Sequence, residues 1–448
     1  MERDKFSSKF GVIAAAAGSA IGLGNIWKFP YITGKNGGAA FIFVYLICII
    51  LVGTVVMVSE LSLGRRAQAN SSGAFKKLKP SSKWYYTGYL AVATSFIILA
   101  TYSIIAGWVL SYFCSSITGK LTTIAPDNLA SYFETLTGNT PMVLFFSLLV
   151  IIITAFIVIS GVQNGIEKYS KILMPILFVT LIILIIRSVT LDGAEKGLEF
   201  LFKPDFSQLT THSVLEALGH SFYSLSLGMG VIITYGSYIK KEENLVSLSL
   251  KVIAADTIVA LMAGVVIFPA VFAYGFEPGA GPSLIFITLP AVFQGMPFGS
   301  FFETLFFLLV GIAAITSTIS LLEVSVSFLT EEFHMDRKKA AIFLSAGVFL
   351  LSIPAILSFG AWSGVKIFGL SIFDLFDYIS SYIFLPIGGI LTSIFVGWVW
   401  GTKNAFKEIS NDGLYSFKGY KFYNIIIKYI APIAIFMILL YSTNIIKL

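Results

Sequence analysis

Apolar stretches of roughly 18 residues or more recur from one end of this 448-residue chain to the other. Each is long enough to cross a hydrocarbon core of about 30 Å. Backbone polar groups in lipid must find their partners within the chain, so such stretches are helices. Eleven are expected, near 9–35, 39–64, 84–117, 141–160, 166–187, 213–239, 245–273, 299–331, 338–357, 374–400 and 422–443. The fold class expected is therefore an all-α polytopic membrane protein, with residues 1–448 forming a single domain. Composition agrees. Hydrophobic residues make up 56% and charged residues 12%, against about 25% charged in soluble domains. The connections are short except 118–140, 188–212 and 274–298. The last carries EPGAGPS at 277–283 and reads as a folded loop with short helices. No cleavable leader is expected, because the first apolar stretch is long, broken by glycine and without a small-residue cleavage site. Cys48 and Cys114 both fall in expected helices and imply no disulfide framework.

Lys and Arg set the expected orientation. With the N-terminus inside, only Lys28, Lys35, Lys120, Arg187, Lys196, Lys203, Lys366 and Lys447 fall on or near the outer side, which leaves 22 of the 30 basic residues inside. Eleven spans then put the C-terminus outside. The net charge of +6 is explained by this bias and by anionic lipid, so no nucleic-acid partner is implied.

Two helices look broken. The first reads Ala-Gly-Ser-Ala-Ile-Gly-Leu-Gly-Asn at 17–25, and the sixth Ser-Leu-Ser-Leu-Gly-Met-Gly at 224–230. Each places close-spaced glycines in mid-membrane, where Gly costs about 1 kcal/mol relative to Ala. Gly18 and Gly22 alone would suit a tight small-xxx-small helix crossing. Their match with Gly228, in the first helix of a second set of five, argues for more. Five helices per half is odd, so the second half runs inverted. Paired interrupted helices in inverted halves mark a transporter binding site. Unwound backbone frees carbonyls for cations and N–H groups for an anion.

The runs GSAIGLGNIWKFPY (18–31), SLSLGMG (224–230) and AAITSTIS (313–320) resemble the neurotransmitter:sodium symporter family, in particular its bacterial amino-acid transporter branch with the leucine-transporter-like fold. The similarity runs from residue 5 to about 445. It implies two inverted five-helix repeats, 9–187 and 213–400, with 422–443 as an accessory eleventh helix. It also implies two sodium ions. The first would use the Ala20 carbonyl, Asn25, Ser224 and Asp256 together with the substrate carboxylate. The second would use the Gly18, Ile21 and Ala313 carbonyls and the Thr316 and Ser317 hydroxyls. Oxygen donors suit a hard cation, although hydroxyls such as these commonly bond back to their own helix.

The resemblance places the substrate between the breaks. Its carboxylate would meet the Leu23 and Gly24 amides and Tyr102. Its ammonium would meet the carbonyls of Ala20, Tyr223 and Ser224 and the Ser226 hydroxyl. Its apolar end would touch Ile98, Met229, Ser317 and Leu321. Members that carry amines lacking a carboxylate have an acid at the position of Gly22, so Gly here implies an amino acid. Met229 stands where the bacterial leucine transporter has Phe. Met adapts to varied shapes, which points to Trp, Tyr, Phe, Leu or Met as substrate. A small neutral amino acid, or a non-transporting sensor on the same fold, is the alternative.

Asp256 is a mid-membrane acid and so a functional candidate. Relatives usually have Asn there with chloride nearby, and some carry Glu where this chain has Ala260. Asp256 therefore implies chloride-independent transport, with His220 replacing a common Gln. Lys28 and Asp377 would form an outer gate beneath which Tyr102 and Tyr223 close. Arg3 and Glu331 would form an inner gate near Tyr238. Glu60 would brace the unwound segments, and Glu323 is assigned only to a polar seam. The short termini and the lack of a twelfth helix suggest a prokaryotic inner membrane. An enzyme is not expected, since His212, His220 and His334 form no metal or nucleophile motif.

Overall fold

The computed structural model describes residues 4–276, 281, 283–415, 419–443 and 445–446. Within them the chain folds into eleven helical units, nine of them continuous and long and apolar enough to cross a membrane. The continuous ones are α2 (Ala39–Ala67), α3 (Tyr85–Ile117), α4 (Thr140–Ile159), α5 (Val162–Val189), α7 (Leu245–Ala273), α8 (Gly299–Glu332), α9 (Arg337–Leu357), α10 (Ile372–Val399) and α11 (Tyr420–Ser442). The other two are interrupted. In α1, Lys9–Ala20 and Gly24–Lys35 meet at 51°. In α6, Thr211–Ser224 and Val231–Gly236 flank six non-helical residues.

Burial separates a core from a rim. The apolar window of α8 is 78% buried and that of α3 67%, against 28% for α11 and 33% for α5. The rim helices turn large apolar side chains outward, such as Phe145 and Phe156 on α4 and Ile433 on α11. In water these would form an apolar patch far larger than a soluble monomer tolerates; in lipid they match the solvent. In the interior, α2 and the second part of α6 cross backbone to backbone. A Cβ on Gly64 would strike the Ile233 carbonyl, and one on Gly236 would press on Leu61. Small residues at a helix crossing permit this approach.

The eleven expected stretches correspond one to one with these units, and the ends differ by a few residues. The long connections contain the helices Leu129–Gly138, Ala194–Phe202 and Leu289–Gln294. Residues 277–280 and 282 of the Gly/Pro loop lie outside the described residues. Two short helices were not expected from sequence: Ser71–Leu78 after α2 and Thr402–Ile409 after α10. Both are too short and too polar to register as apolar stretches.

Candidate functional site: a central pocket between two broken helices

The two breaks have different physical origins. In α1 the helix ends at Ala20, where Ile21 turns extended (φ −74°, ψ 95°), and helix resumes in a wide π-type turn from Gly24. In α6 the chain from Leu225 to Gly230 takes left-handed backbone at Ser226, Gly228 and Gly230 (φ 54°, 78° and 80°). Gly228 is obligatory twice over. Its φ suits glycine, and a Cβ there would lie 2.6 Å from the Leu385 carbonyl oxygen and 3.0 Å from the Gly389 nitrogen.

Neighbouring helices hold these segments. Glu60 of α2 accepts a hydrogen bond from the Gly228 amide at 2.8 Å, the bracing role expected for it. Ser95 of α3 donates to the Met229 carbonyl at 2.5 Å, a contact that sequence reasoning missed. The Leu23 amide donates to the Tyr102 hydroxyl at 2.9 Å, and the Gly22 amide to Asn25 Oδ1 at 3.0 Å. Buried polar groups need such partners, so the interruptions are stable features of the fold.

Between them lies a cavity with an empty volume of about 370 Å³. Of the residues expected around a substrate, Ala20, Gly22, Gly24, Ile98, Tyr102, Tyr223, Ser224, Ser226, Met229, Ser317 and Leu321 line it. Leu23 reaches it through its bond to Tyr102. Ser19 and Ser320 also line it and were not anticipated. Ser19 donates to Ser320 Oγ at 2.9 Å, and Ser226 donates to the Ser19 carbonyl at 3.1 Å, which joins α1, α6 and α8 at the pocket wall. A Cβ at Gly22 would collide with Ser317 Oγ and approach Tyr102 OH to 2.8 Å. Glycine there keeps the pocket open.

The residues expected at the first sodium site converge. Asn25 Nδ2 donates to Asp256 Oδ1 at 2.7 Å and to the Asp256 carbonyl at 3.1 Å. Ser224 donates to both carboxylate oxygens, at 2.9 and 3.1 Å, and Tyr45 to Oδ2 at 3.3 Å. Asp256 is fully buried. A cation here would need the Asn25 amide to turn its oxygen inward, away from the Gly22 amide. His220 packs against the rings of both Phe29 and Tyr45, with centroids 5.8 and 5.6 Å away, and neither ring nitrogen has a partner among the described residues.

At the second site, Thr316 Oγ1 lies 3.1 Å from the Ala313 carbonyl and 3.5 Å from that of Ile21, and Ser317 Oγ lies 3.3 Å from Ala313. Thr316 also bonds back to Ile312 at 3.2 Å, as hydroxyls in membrane helices do. Gly18 packs beside the Thr316 side chain. This oxygen-only set suits a hard monovalent cation. No cluster of three or more His, Cys, Asp or Glu able to hold a metal exists among the described residues.

Tyr102 and Tyr223 line both the pocket and an adjoining vestibule with an empty volume of about 930 Å³. Lys28 and Asp377 both line that vestibule but do not meet as an ion pair. Lys28 Nζ lies over the Tyr223 ring, 4.3 Å from its centre, and Asp377 accepts from Ser381 at 2.8 Å. A single ammonium favours an aromatic face here over a distant carboxylate.

The opposite face is closed by many bonds. Arg3 lies outside the described residues, while Glu331 accepts from the Asn70 amide at 2.8 Å. Glu323 has a larger role than its sequence assignment. It takes both Arg337 Nη atoms, at 2.5 and 3.1 Å, and the Tyr238 hydroxyl at 2.6 Å. Phe6 is buried against Tyr235 and Tyr238. Glu167 accepts from the Ser7 amide and hydroxyl and pairs with Lys171.

Comparison with known proteins decides the family. The model of the sodium:neurotransmitter symporter family matches residues 3–131 and 132–448. The chain belongs to this family. An uncharacterized sodium-dependent transporter of Bacillus subtilis, YhdH, is 39% identical over 97% of both chains. One from Haemophilus influenzae is 40% identical over 98% of this chain and 97% of its own. Among solved structures, MhsT in complex with L-phenylalanine superposes with a TM-score of 0.90 at 45% identity, covering 98% of this chain and 100% of that one. As a member of this family the chain is a multi-pass membrane transporter of the sodium-dependent class.

Proposed function

We propose that this transporter imports a hydrophobic or aromatic L-amino acid together with two sodium ions, by alternating access and without a chloride requirement. One observation carries the reading. The pocket offers N–H and O–H donors at one end (Leu23, Tyr102) and carbonyl and hydroxyl oxygens at the other (Ala20, Ser224, Ser226), and no acid lines it. That distribution fits a zwitterion whose own carboxylate completes the first sodium site. MhsT, alike at 45% identity, is solved with L-phenylalanine, and the Ile98, Met229 and Leu321 walls suit such an apolar side chain.

In the proposed cycle the substrate carboxylate inserts between the Leu23 amide and Tyr102. Sodium at the first site displaces the Asn25 and Ser224 bonds to Asp256, whose charge removes the need for chloride. Sodium at the second site ties the Ile21 carbonyl of α1 to α8. Its loss frees the first part of α1 to swing and opens the path on the N-terminal face. That face is cytoplasmic in this reading, and the membrane is a prokaryotic inner membrane. Residues 9–187 and 213–400 are the inverted halves, and 422–443 is accessory. Each sodium ion moving through about 100 mV gains about 2.3 kcal/mol, and a tenfold gradient adds about 1.4 kcal/mol. Two ions therefore drive a zwitterion up a gradient on the order of 10⁵-fold at tight coupling.

The test is uptake of labelled phenylalanine, tryptophan, tyrosine and leucine by proteoliposomes, with sodium against choline and chloride against gluconate outside. Sodium-dependent, chloride-indifferent accumulation is expected. Binding without accumulation would leave a sensor, and uptake restricted to small amino acids would overturn the pocket reading.

A further inference from the structure

A second cavity, on the face of the molecule where the N-terminal segment sits, shares no lining residue with the central pocket or the vestibule. It is an open groove with an empty volume of about 860 Å³ between the start of α7 and the segment that follows the Thr402–Ile409 helix. Its lining mixes polar side chains, among them Ser247, Lys251 and Tyr415, with apolar ones, among them Leu250, Ala254 and Ile409. Tyr415 is fixed there by donating to the Glu242 carbonyl at 2.5 Å.

Lys251 is the unusual member. It is exposed and forms no ion pair among the described residues. Its position sharpens the point. Helix α7 has 29 residues and is about 43 Å long at 1.5 Å per residue, which exceeds the hydrocarbon thickness of about 30 Å. Centred in the bilayer, it enters hydrocarbon about 7 Å from its start, and Lys251 lies about 9 Å along it. An ammonium at that depth reaches back towards the headgroups. The half-exposed Leu250 beside it points to acyl chains. The acids that might otherwise take the charge are engaged. Glu408 pairs with Arg65 at 2.5 Å and Arg66 at 3.7 Å, and Asp412 with Lys241 at 3.1 Å and Lys407 at 3.6 Å. Glu242 and Glu243 remain as counter-charges on the loop above, beside Lys240.

We infer that this groove is a binding site for an anionic phospholipid. Its phosphate meets the Lys251 ammonium and the Ser247 hydroxyl, and one acyl chain lies along Leu250, Ala254 and Ile409. The lysine charge selects against zwitterionic lipids, and the apolar lining selects against free phosphate. Juxtamembrane basic residues attract anionic headgroups by about 1 kcal/mol each, which for one lysine corresponds to about fivefold in occupancy.

The experiment uses the full chain in liposomes containing a photo-crosslinkable phosphatidylglycerol, with adducts mapped by peptide mass spectrometry. Adducts are expected on 246–254 and 409–415. Excess phosphatidylglycerol should compete them away; phosphatidylcholine, glycerol phosphate and inorganic phosphate should not. Lys251→Gln should cut the yield about fivefold and Lys251→Arg should retain it. Lys203→Gln, which removes an exposed lysine charge from another segment, should leave it unchanged. Equal competition by phosphatidylcholine, displacement by inorganic phosphate, or equal losses from K251Q and K203Q would each overturn the site. The readout is labelling, so failure here leaves the transport reading intact.

Discussion

The breaks in α1 and α6 face each other across one pocket, yet they are held open by different means. In α6 the interruption is written into the backbone: three residues are left-handed, and one of them, Gly228, touches α10. In α1 no residue of the break is left-handed, and the opening depends on partners, namely Tyr102 on the Leu23 amide and Asn25 on the Gly22 amide. A segment fixed by its own φ angles acts as a static wall. A segment fixed by hydrogen bonds yields when those bonds are exchanged for cargo. In the proposed cycle this difference makes α1 the moving part and α6 the platform.

Glycine substitution gives the largest test of this contrast. Gly228→Ala combines a left-handed L-residue, at about 1–2 kcal/mol, with a collision against the Leu385 carbonyl, and uptake should fall by more than tenfold. Gly18→Ala meets Thr316 and Met174 no closer than 3.5 Å and should stay within about threefold of the parent in the same assay. Equal damage from both would erase the distinction.

Asp256 bonds to both broken helices, through Asn25 and Ser224. Asp256→Asn should raise the sodium concentration for half-maximal uptake by about tenfold, with partial recovery on adding chloride. A sodium titration in chloride and in gluconate reads both effects, and an unchanged half-saturation would remove Asp256 from the ion site.

The hydrogen bonds give a smaller and more specific comparison. Tyr102→Phe leaves the Leu23 amide without its acceptor and removes a donor to the substrate carboxylate. At about 1–3 kcal/mol, amino-acid binding should weaken by about tenfold. Ser95→Ala removes one bond from an α6 segment that its own backbone already defines, and a loss of about threefold is expected. Equilibrium binding in detergent separates the two, and a larger effect from Ser95→Ala would reverse the assignment of platform and moving part. The smallest effect expected is on selectivity. Met229→Phe should raise the KM for aromatic substrates a few-fold more than that for leucine, and equal shifts would show that Met229 does not shape the pocket.

Much of the site was legible because local patterns carry it. The glycine spacing marked the breaks, the cost of an acid in mid-membrane drew attention to Asp256, and the family resemblance of the run at 313–320 pointed to the Thr316–Ser317 hydroxyls. What stayed hidden were partners distant in sequence. Ser95 on Met229, Ser19 on Ser320 and Arg337 on Glu323 depend on how each helix is rotated about its axis, and serines in apolar helices follow no period that reveals it. Ser320 gave a faint signal, one turn beyond Thr316 on the same face. Lys28 is the converse case. A charge pair with Asp377 was expected from the resemblance, but packing placed the Tyr223 ring nearer to the ammonium.

From the amino-acid order alone it follows that the chain is built for a bilayer and that two of its helices cannot be continuous. Hydrocarbon admits only internally satisfied backbone, and glycine pairs in mid-membrane need a reason. How the two breaks differ, which side carries the Glu323, Arg337 and Tyr238 cluster, and where Lys251 is left exposed emerge from tertiary packing alone. Those outcomes depend on which faces of eleven similar helices meet, and lipid, as apolar as most of the side chains, leaves that choice to close packing and to a few buried polar contacts.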